Sequence, residues 1–290
     1  MSGTRLGPDD LIAAHYTLAR ADRTGAARIP FPERVAAAAA AGFTGIGVQP
    51  PDYRRSRAAG LSDADVHAVL NDHGMVIGEI DGAPWWLEPD GSEADLRTAQ
   101  EEAVRLGDSF GAHHLVAPMP AVADPPPVDE LGRRLADLCD LAARYDLLVG
   151  LEFLPWTPVR TAAQAWAVVQ AAGRDNAGIT FDFWHHSVGG DDLASLGAIP
   201  GERVVAVHFT DGVRDRALDP LSETMIGRRL PGEGDFAVTD IVRALDRIGV
   251  RVPITVELVS LPHRRLPVGE LAALVHDSVR HAIDQARATA

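Results

Sequence analysis

Along the chain, short apolar runs alternate with longer stretches in which apolar residues recur every three or four positions. The short runs fall at 11–18, 44–48, 75–80, 114–117, 147–152, 177–181, 204–207 and 253–257, bounded by Gly, Pro or charged residues, as buried strands are. The intervening segments carry helix punctuation. Phe31-Pro32-Glu33-Arg34 opens an Ala-rich helix ended by Gly42, with Pro in its first turn. Ser62-Asp63-Ala64-Asp65 has the form of a capping box and predicts a helix to Asn71 that stops near Gly74. Further helices are predicted over 92–106, 128–145, 161–172, 236–248 and 266–288, with a short one over 192–196. Pro50-Pro51 reads as a break, and 118–127 as a proline-rich loop. Eight rounds of strand and helix imply parallel strands joined by right-handed crossovers. They predict a single α/β domain over 1–290, a closed (β/α)8 barrel with its site at the carboxyl ends of the strands. An open doubly wound sheet would want a glycine-rich turn after the first strand, and none stands there.

Four consecutive predicted strands end in residues that can hold a cation: Glu152, Asp182, His208 and Glu257. A side chain at a strand's carboxyl end can point into the barrel mouth, so the four are expected to converge there. Asp211, just after the third of these strands, and His185, three residues past Asp182, are further ligand-type residues nearby. Without a cation, three carboxylates crowded to ~4–6 Å raise one another's pKa until one keeps its proton. The set is mostly hard oxygen, which favours Mn²⁺, with Mg²⁺, Co²⁺ and Zn²⁺ as alternatives. One such ion would polarise a carbonyl and stabilise the enediolate formed when a neighbouring C–H proton is taken. That chemistry serves isomerisation, epimerisation and elimination alike.

Composition narrows the partners. With 290 residues and 46% hydrophobic content, the chain can bury a large core. A formal charge of −14, with no basic run beyond Arg228-Arg229 and Arg264-Arg265, argues against nucleic acid. The first residues, MSGTRLGPDDLIAAH, lack a leader pattern, and no run reaches the ~18 apolar residues of a membrane span. A cytoplasmic protein, alone or as a homo-oligomer, is expected. The single cysteine, Cys139, lies among Leu135, Leu138 and Leu141 and reads as a packed core thiol.

The elements Leu151-Glu152-Phe153, Phe181-Asp182-Phe183-Trp184-His185, Val207-His208-Phe209-Thr210-Asp211, Arg228-Arg229-Leu230-Pro231-Gly232-Glu233-Gly234-Asp235-Phe236 and Val256-Glu257-Leu258 resemble the xylose isomerase-like superfamily of TIM barrels, its sugar phosphate isomerase/epimerase group. The likeness runs from about Leu11 to the final helix. It implies that Glu152, Asp182, His208 and Glu257 hold one divalent cation, and that Glu152 and Glu257 also exchange the substrate proton from opposite faces. It implies a small carbohydrate-like substrate, a keto-sugar or related polyol, with His185 hydrogen-bonding one of its oxygens. The group's substrate-binding arginine corresponds to Arg228 counted back from Pro231, or to Arg214 counted forward from His208. Where many relatives carry a glutamate in the second strand, this chain has Gln49 or a nearby residue. A lyase or dehydratase of the same superfamily, eliminating from a keto-cyclitol, a dehydroshikimate-like acid or a 3-keto-glycoside, is the alternative.

Two more residues are candidate substrate contacts. His15 lies near the end of the first strand, where a histidine can face the mouth or pack in the barrel wall. Trp184 adjoins His185, and with Trp85, Trp86 and Trp156 it follows a strand end, where an aromatic face can lie against a sugar or phenolic ring. His113 and His114 are ambiguous in the way His15 is. His186 is expected to point away from His185 if the segment stays extended.

Overall fold

Eight apolar runs lie side by side in chain order and the last pairs with the first, closing a parallel barrel. The computed structural model describes residues 6–21, 26–87, 91–122, 124, 126–190 and 192–288. The strands are β1 (Leu11–Ala13), β2 (Gly45–Val48), β3 (Val76–Ile80), β4 (His114–Pro118), β5 (Leu148–Glu152), β6 (Ala177–Asp182), β7 (Val204–Phe209) and β8 (Ile254–Val256). Almost every strand residue is buried, because side chains on one face fill the barrel and those on the other pack under helices.

The helices are α1 (His15–Ala19), α2 (Phe31–Ala41), α3 (Pro50–Ala58), α4 (Asp63–His73), α5 (Glu93–Phe110), α6 (Val128–Ala142), α7 (Ala162–Ala172), α8 (Phe183–Gly189), α9 (Pro220–Thr224), α10 (Val238–Arg247) and α11 (Val268–Ala288). Local chemistry sets their ends. Ser62 and Ser92 open α4 and α5 with capping boxes completed by Asp65 and Asp95. Gly42, Gly74, Gly111 and Gly173 close α2, α4, α5 and α7 in the left-handed conformation. Among the described residues no helix is long and apolar enough to cross a membrane.

Beside the barrel mouth the structure departs from the sequence pattern. The apolar run 11–18 is a strand only to Ala13. The chain then turns into α1, where Thr17 Oγ1 donates to the Val256 carbonyl at 2.8 Å and accepts from the Leu258 amide at 2.9 Å, clamping it to β8. Pro50-Pro51 opens a helix rather than ending order, because proline lacks only an N–H that the first turn leaves unpaired anyway. The residues after Asp182 form α8, with Asp182 as its cap. The proline-rich stretch 118–127 joins β4 to α6, with positions 123 and 125 outside the described residues, as are positions 1–5.

Candidate metal centre at the barrel mouth

Register brings the strand ends to one level. Asp182 on β6 pairs with His208 on β7, and His208 with Thr255 on β8, two residues before Glu257. Glu152, Asp182, His208 and Glu257 each offer one atom, and these atoms lie within 4.8 Å of one another, all four residues buried. Opposite ligands of a divalent ion bound at roughly 2.0–2.6 Å lie about 4–5 Å apart. His208 Nδ1 stands 3.4 Å from Glu152 Oε1, 3.4 Å from Glu257 Oε2 and 3.9 Å from Asp182 Oδ2. It is buried and makes no hydrogen bond among the described residues. An imidazole nitrogen left bare among three carboxylates suits a cation at their centre. Burial opposes a charge on His208, but Glu79, Glu152 and Glu257 outweigh it and draw its pKa well up. The field therefore calls for positive charge at this point, which a divalent ion supplies.

Asp182 serves two elements with its two oxygens. Oδ1 accepts from the His185 amide at 2.8 Å and caps α8, while Oδ2 accepts from Arg228 Nη1 at 2.8 Å. Burial disfavours its charge, yet Arg228, His185 and His208 hold the carboxyl well below the usual range. Arg228 is itself buried, lies 3.1 Å from Glu257 Oε2 through Nη2, and stacks its guanidinium 5.8 Å above the Trp184 ring. Arg214, the alternative position, is exposed and lies over Phe236 at 5.9 Å. The loop that carries Arg228 is held by Asp211. Its Oδ1 accepts from the amides of Gly212 and Phe236, and its Oδ2 from those of Gly232 and Gly234, at 2.7–3.2 Å. Asp211 is thus placed in a loop anchor, outside the cation cluster.

His185 reaches the mouth from α8, with Nε2 3.8 Å from Glu152 Oε1, 3.9 Å from Asp182 Oδ2 and 3.5 Å from Arg228 Nη2. Burial lowers its pKa against the pull of Asp182 and Glu152. It lines a cavity of about 370 Å³ together with Glu152, Arg228 and Glu257. Leu154, Trp156, Leu221, Met225 and Val259 give that cavity an apolar side. Tyr16, Gln49 and Asp81 give it a polar one, with Gln49 Nε2 donating to Asp81 Oδ2 at 2.7 Å. Burial together with Glu79, Glu257 and Glu152 raises the Asp81 pKa well above the usual carboxylate range. A wider cleft of about 910 Å³, lined by His113, Tyr145 and Arg174 among others, lies at the amino end of the barrel, away from the strand-end ligands.

Two candidate contacts lie elsewhere. His15 is turned to the buried pair Arg34 and Asp52, with Nδ1 3.3 Å from Arg34 Nη1 and 3.9 Å from Asp52 Oδ2, because it opens a helix instead of extending a strand. The next residue, Tyr16, takes the cavity position. Trp184 is fully buried beneath Arg228 and supports that side chain; the tryptophan lining the cavity is Trp156, edge-on to His185 at 5.4 Å between ring centres. His186 follows His185 on a helix and packs against Phe181 at 5.0 Å.

Three residues escaped the sequence pattern. Glu79 interrupts the apolar run VIGEI, which was the available signal. It is fully buried inside the barrel, where its Oε2 meets His208, His114 and Thr255. Burial opposes its charge, but His208 and His114 hold the carboxyl far below the usual range. Asp81 follows the end of β3 and would have emerged from the strand-end rule applied there. Tyr16 depends on the early turn into α1 and left no signal.

Known proteins place this geometry in context. Residues 35–280 match the family model described as the xylose isomerase-like TIM barrel. An inosose isomerase of Bacillus velezensis is 32% identical over 138 residues, 47% of this chain and 48% of that enzyme. A 3-dehydroshikimate dehydratase of Pseudomonas aeruginosa is 30% identical over 134 residues, 46% of this chain and 21% of that enzyme. The matched segment thus spans about half the length of the one and about a fifth of the other. Among solved structures, the IOLI protein with a binding zinc atom superposes with a TM-score of 0.83 at 19% identity, over 95% of this chain and 98% of that one. An L-ribulose 3-epimerase superposes with a TM-score of 0.71 at 16% identity, over 96% of each chain. At such identities these structural likenesses bear on the fold. The match over 35–280 shows more: the chain belongs to the xylose isomerase-like TIM barrel family.

Proposed function

We propose that this protein is a divalent-metal-dependent isomerase or epimerase of a keto-sugar or related cyclic polyol, with Glu152 and Glu257 as the acid and base. The observation that carries the reading is the placement of these two glutamates. They come from β5 and from just after β8, stand on either side of His208, each 3.4 Å from its Nδ1, and both line the cavity. A carbon held between them would present one face to each, which moving a proton from one face to the other requires.

Glu152, Asp182, His208 and Glu257 would hold the ion, and the hard donor set together with the bare His208 nitrogen supports that assignment. When bound, the ion supplies Lewis acidity toward a substrate carbonyl. The chain's own groups do the rest. Either glutamate takes the proton from the carbon next to the carbonyl, and the other returns one to the opposite face. His185 and Arg228, on the cavity wall beside them, donate to the substrate oxygens and offset negative charge as the proton leaves. Tyr16, Gln49 and Asp81 offer donors and acceptors to hydroxyls on the far side, and Trp156 offers an apolar face to a ring.

Elimination by the same groups is the second reading, favoured by the apolar side of the cavity and by the likeness to the dehydratase. One glutamate would then take the proton and return it to the departing oxygen, to which His185 donates a hydrogen bond. A screen of Mn²⁺-loaded protein against keto-sugars, inososes, dehydroshikimate and 3-keto-glycosides, read by mass spectrometry, separates the two. A new isomer of unchanged mass supports the proposal, and loss of water or an aglycone supports elimination. No product with any of them overturns both.

A further inference from the structure

We propose that Glu79 is the positioning residue of the cation site, fixing His208 with Nδ1 toward the three carboxylates and adding a negative charge behind it. The inference rests on reading Glu152, Asp182, His208 and Glu257 as ligands of an ion. Glu79 is the one charged residue of β3 and has no solvent exposure. Burying a carboxylate costs several kcal/mol unless donors compensate it, so its presence in the barrel interior needs a reason.

The donors come from three other strands. Glu79 Oε2 receives His208 Nε2 from β7 at 2.9 Å, His114 Nε2 from β4 at 3.0 Å and Thr255 Oγ1 from β8 at 2.9 Å. A carboxylate oxygen only accepts, so the proton of neutral His208 sits on Nε2 and the lone pair sits on Nδ1. Nδ1 is the atom that faces Glu152, Asp182 and Glu257. The contact therefore fixes both the tautomer and the plane of the ring, and a hydrogen-bonded carboxylate makes an imidazole a stronger donor to a metal.

The other oxygen argues against a purely structural part. Oε1 is buried without a hydrogen-bond partner among the described residues. Neighbouring Gly47 leaves it room, since a Cβ there would come within 3.1 Å of it. A group retained only to satisfy His208, His114 and Thr255 would need one acceptor atom, which a neutral glutamine also has. The residue present instead carries a charge with no arginine or lysine among the described residues bonded to it, directed at the back of His208.

The test compares wild type with Glu79→Gln and Thr255→Val, each stripped with chelator and titrated with Mn²⁺ and with Zn²⁺ by calorimetry. Nitrogen-15 shifts of His208 are recorded for the wild type with and without Zn²⁺. The expected results are affinity weakened roughly 10- to 100-fold in Glu79→Gln, a change under about 3-fold in Thr255→Val, which removes a donor to the same oxygen without touching His208, and a wild-type imidazole protonated on Nε2 in both states. Equal affinity in folded Glu79→Gln and wild type overturns the inference and leaves the cation site standing. So does a Zn²⁺-bound wild type in which His208 keeps its proton on Nδ1 and gives Nε2 to the metal, a readout that does not depend on whether the variant folds. If the wild type itself binds neither metal, the cation-site reading fails and the inference fails with it.

Discussion

Arg228 Nη1 donates to Asp182 Oδ2 at 2.8 Å, so a guanidinium is buried against a residue that also belongs to the candidate cation cluster. The pairing answers an electrostatic problem. Glu79, Glu152, Asp182 and Glu257 are four carboxylates in one buried region, and Arg228 sets a fixed positive charge among them. A divalent ion would add two more, and a substrate oxygen that gains charge during reaction would then have both an ion and an arginine nearby. Arg228 also touches Glu257 at 3.1 Å, which ties it to one of the two proposed proton-transfer groups.

Replacing Arg228 by Met keeps the length of the stem and removes the charge. Turnover is expected to fall roughly 10²-fold or more, as when one electrostatic donor is lost from a reacting centre. Metal content, measured by elemental analysis, should stay at the wild-type level or rise, because a cation that competes for Asp182 and Glu257 has gone. Loss of metal with the arginine would show that Arg228 holds the ligands in place rather than serving the substrate.

His185 should separate from the ligands in the same way. Its Nε2 lies 3.8 Å and 3.9 Å from the nearest ligand carboxylates and lines the cavity. His185→Ala is expected to lower the rate about 10²-fold while elemental analysis finds the wild-type metal content. A variant without metal would add His185 to the ion's ligands.

Asp211 is expected to control the loop rather than the chemistry. It accepts from four backbone amides, and its own backbone pairs with Arg229, next to Arg228. Asp211→Asn removes the charge from these bonds and turns one acceptor into a donor facing amides. A loss of about 2 kcal/mol or more in chemical unfolding is expected, with KM raised more than kcat is lowered. Gly234→Ala should act alike, since a Cβ there would stand 2.1 Å from the Gly212 carbonyl oxygen and 2.3 Å from Asp211 Oδ1. Unchanged stability in both variants would remove Asp211 from this role.

The barrel was legible because each apolar run is short and each helix carries its own punctuation, such as Ser62 with Asp65 or Gly42 after α2. The strand ends Glu152, Asp182, His208 and Glu257 followed from alternation of side chains along a strand, and the structure brings their ligand atoms together. What escaped was set by tertiary contacts. Thr17 fastens the chain to β8 and turns it early, so His15 swings to Arg34 while Tyr16 takes the cavity position. Asp182 caps a helix that starts directly after β6, which buries Trp184 under Arg228 and aims His185 at the mouth. Glu79 bonds partners 35, 129 and 176 residues away in the chain, a relationship that no local pattern contains.

Under the proposed function Glu152 and Glu257 both move the substrate proton. This is tested most directly by running the reaction in D₂O with wild type, Glu152→Gln and Glu257→Gln, each confirmed to hold its metal, on the substrate found by the screen. One deuterium is expected at the carbon beside the carbonyl in the wild-type product, with a rate loss of roughly 10²-fold or more in each variant. If either Glu→Gln variant keeps near-full activity with metal bound, two-sided proton transfer is contradicted and elimination by a single base becomes the better account.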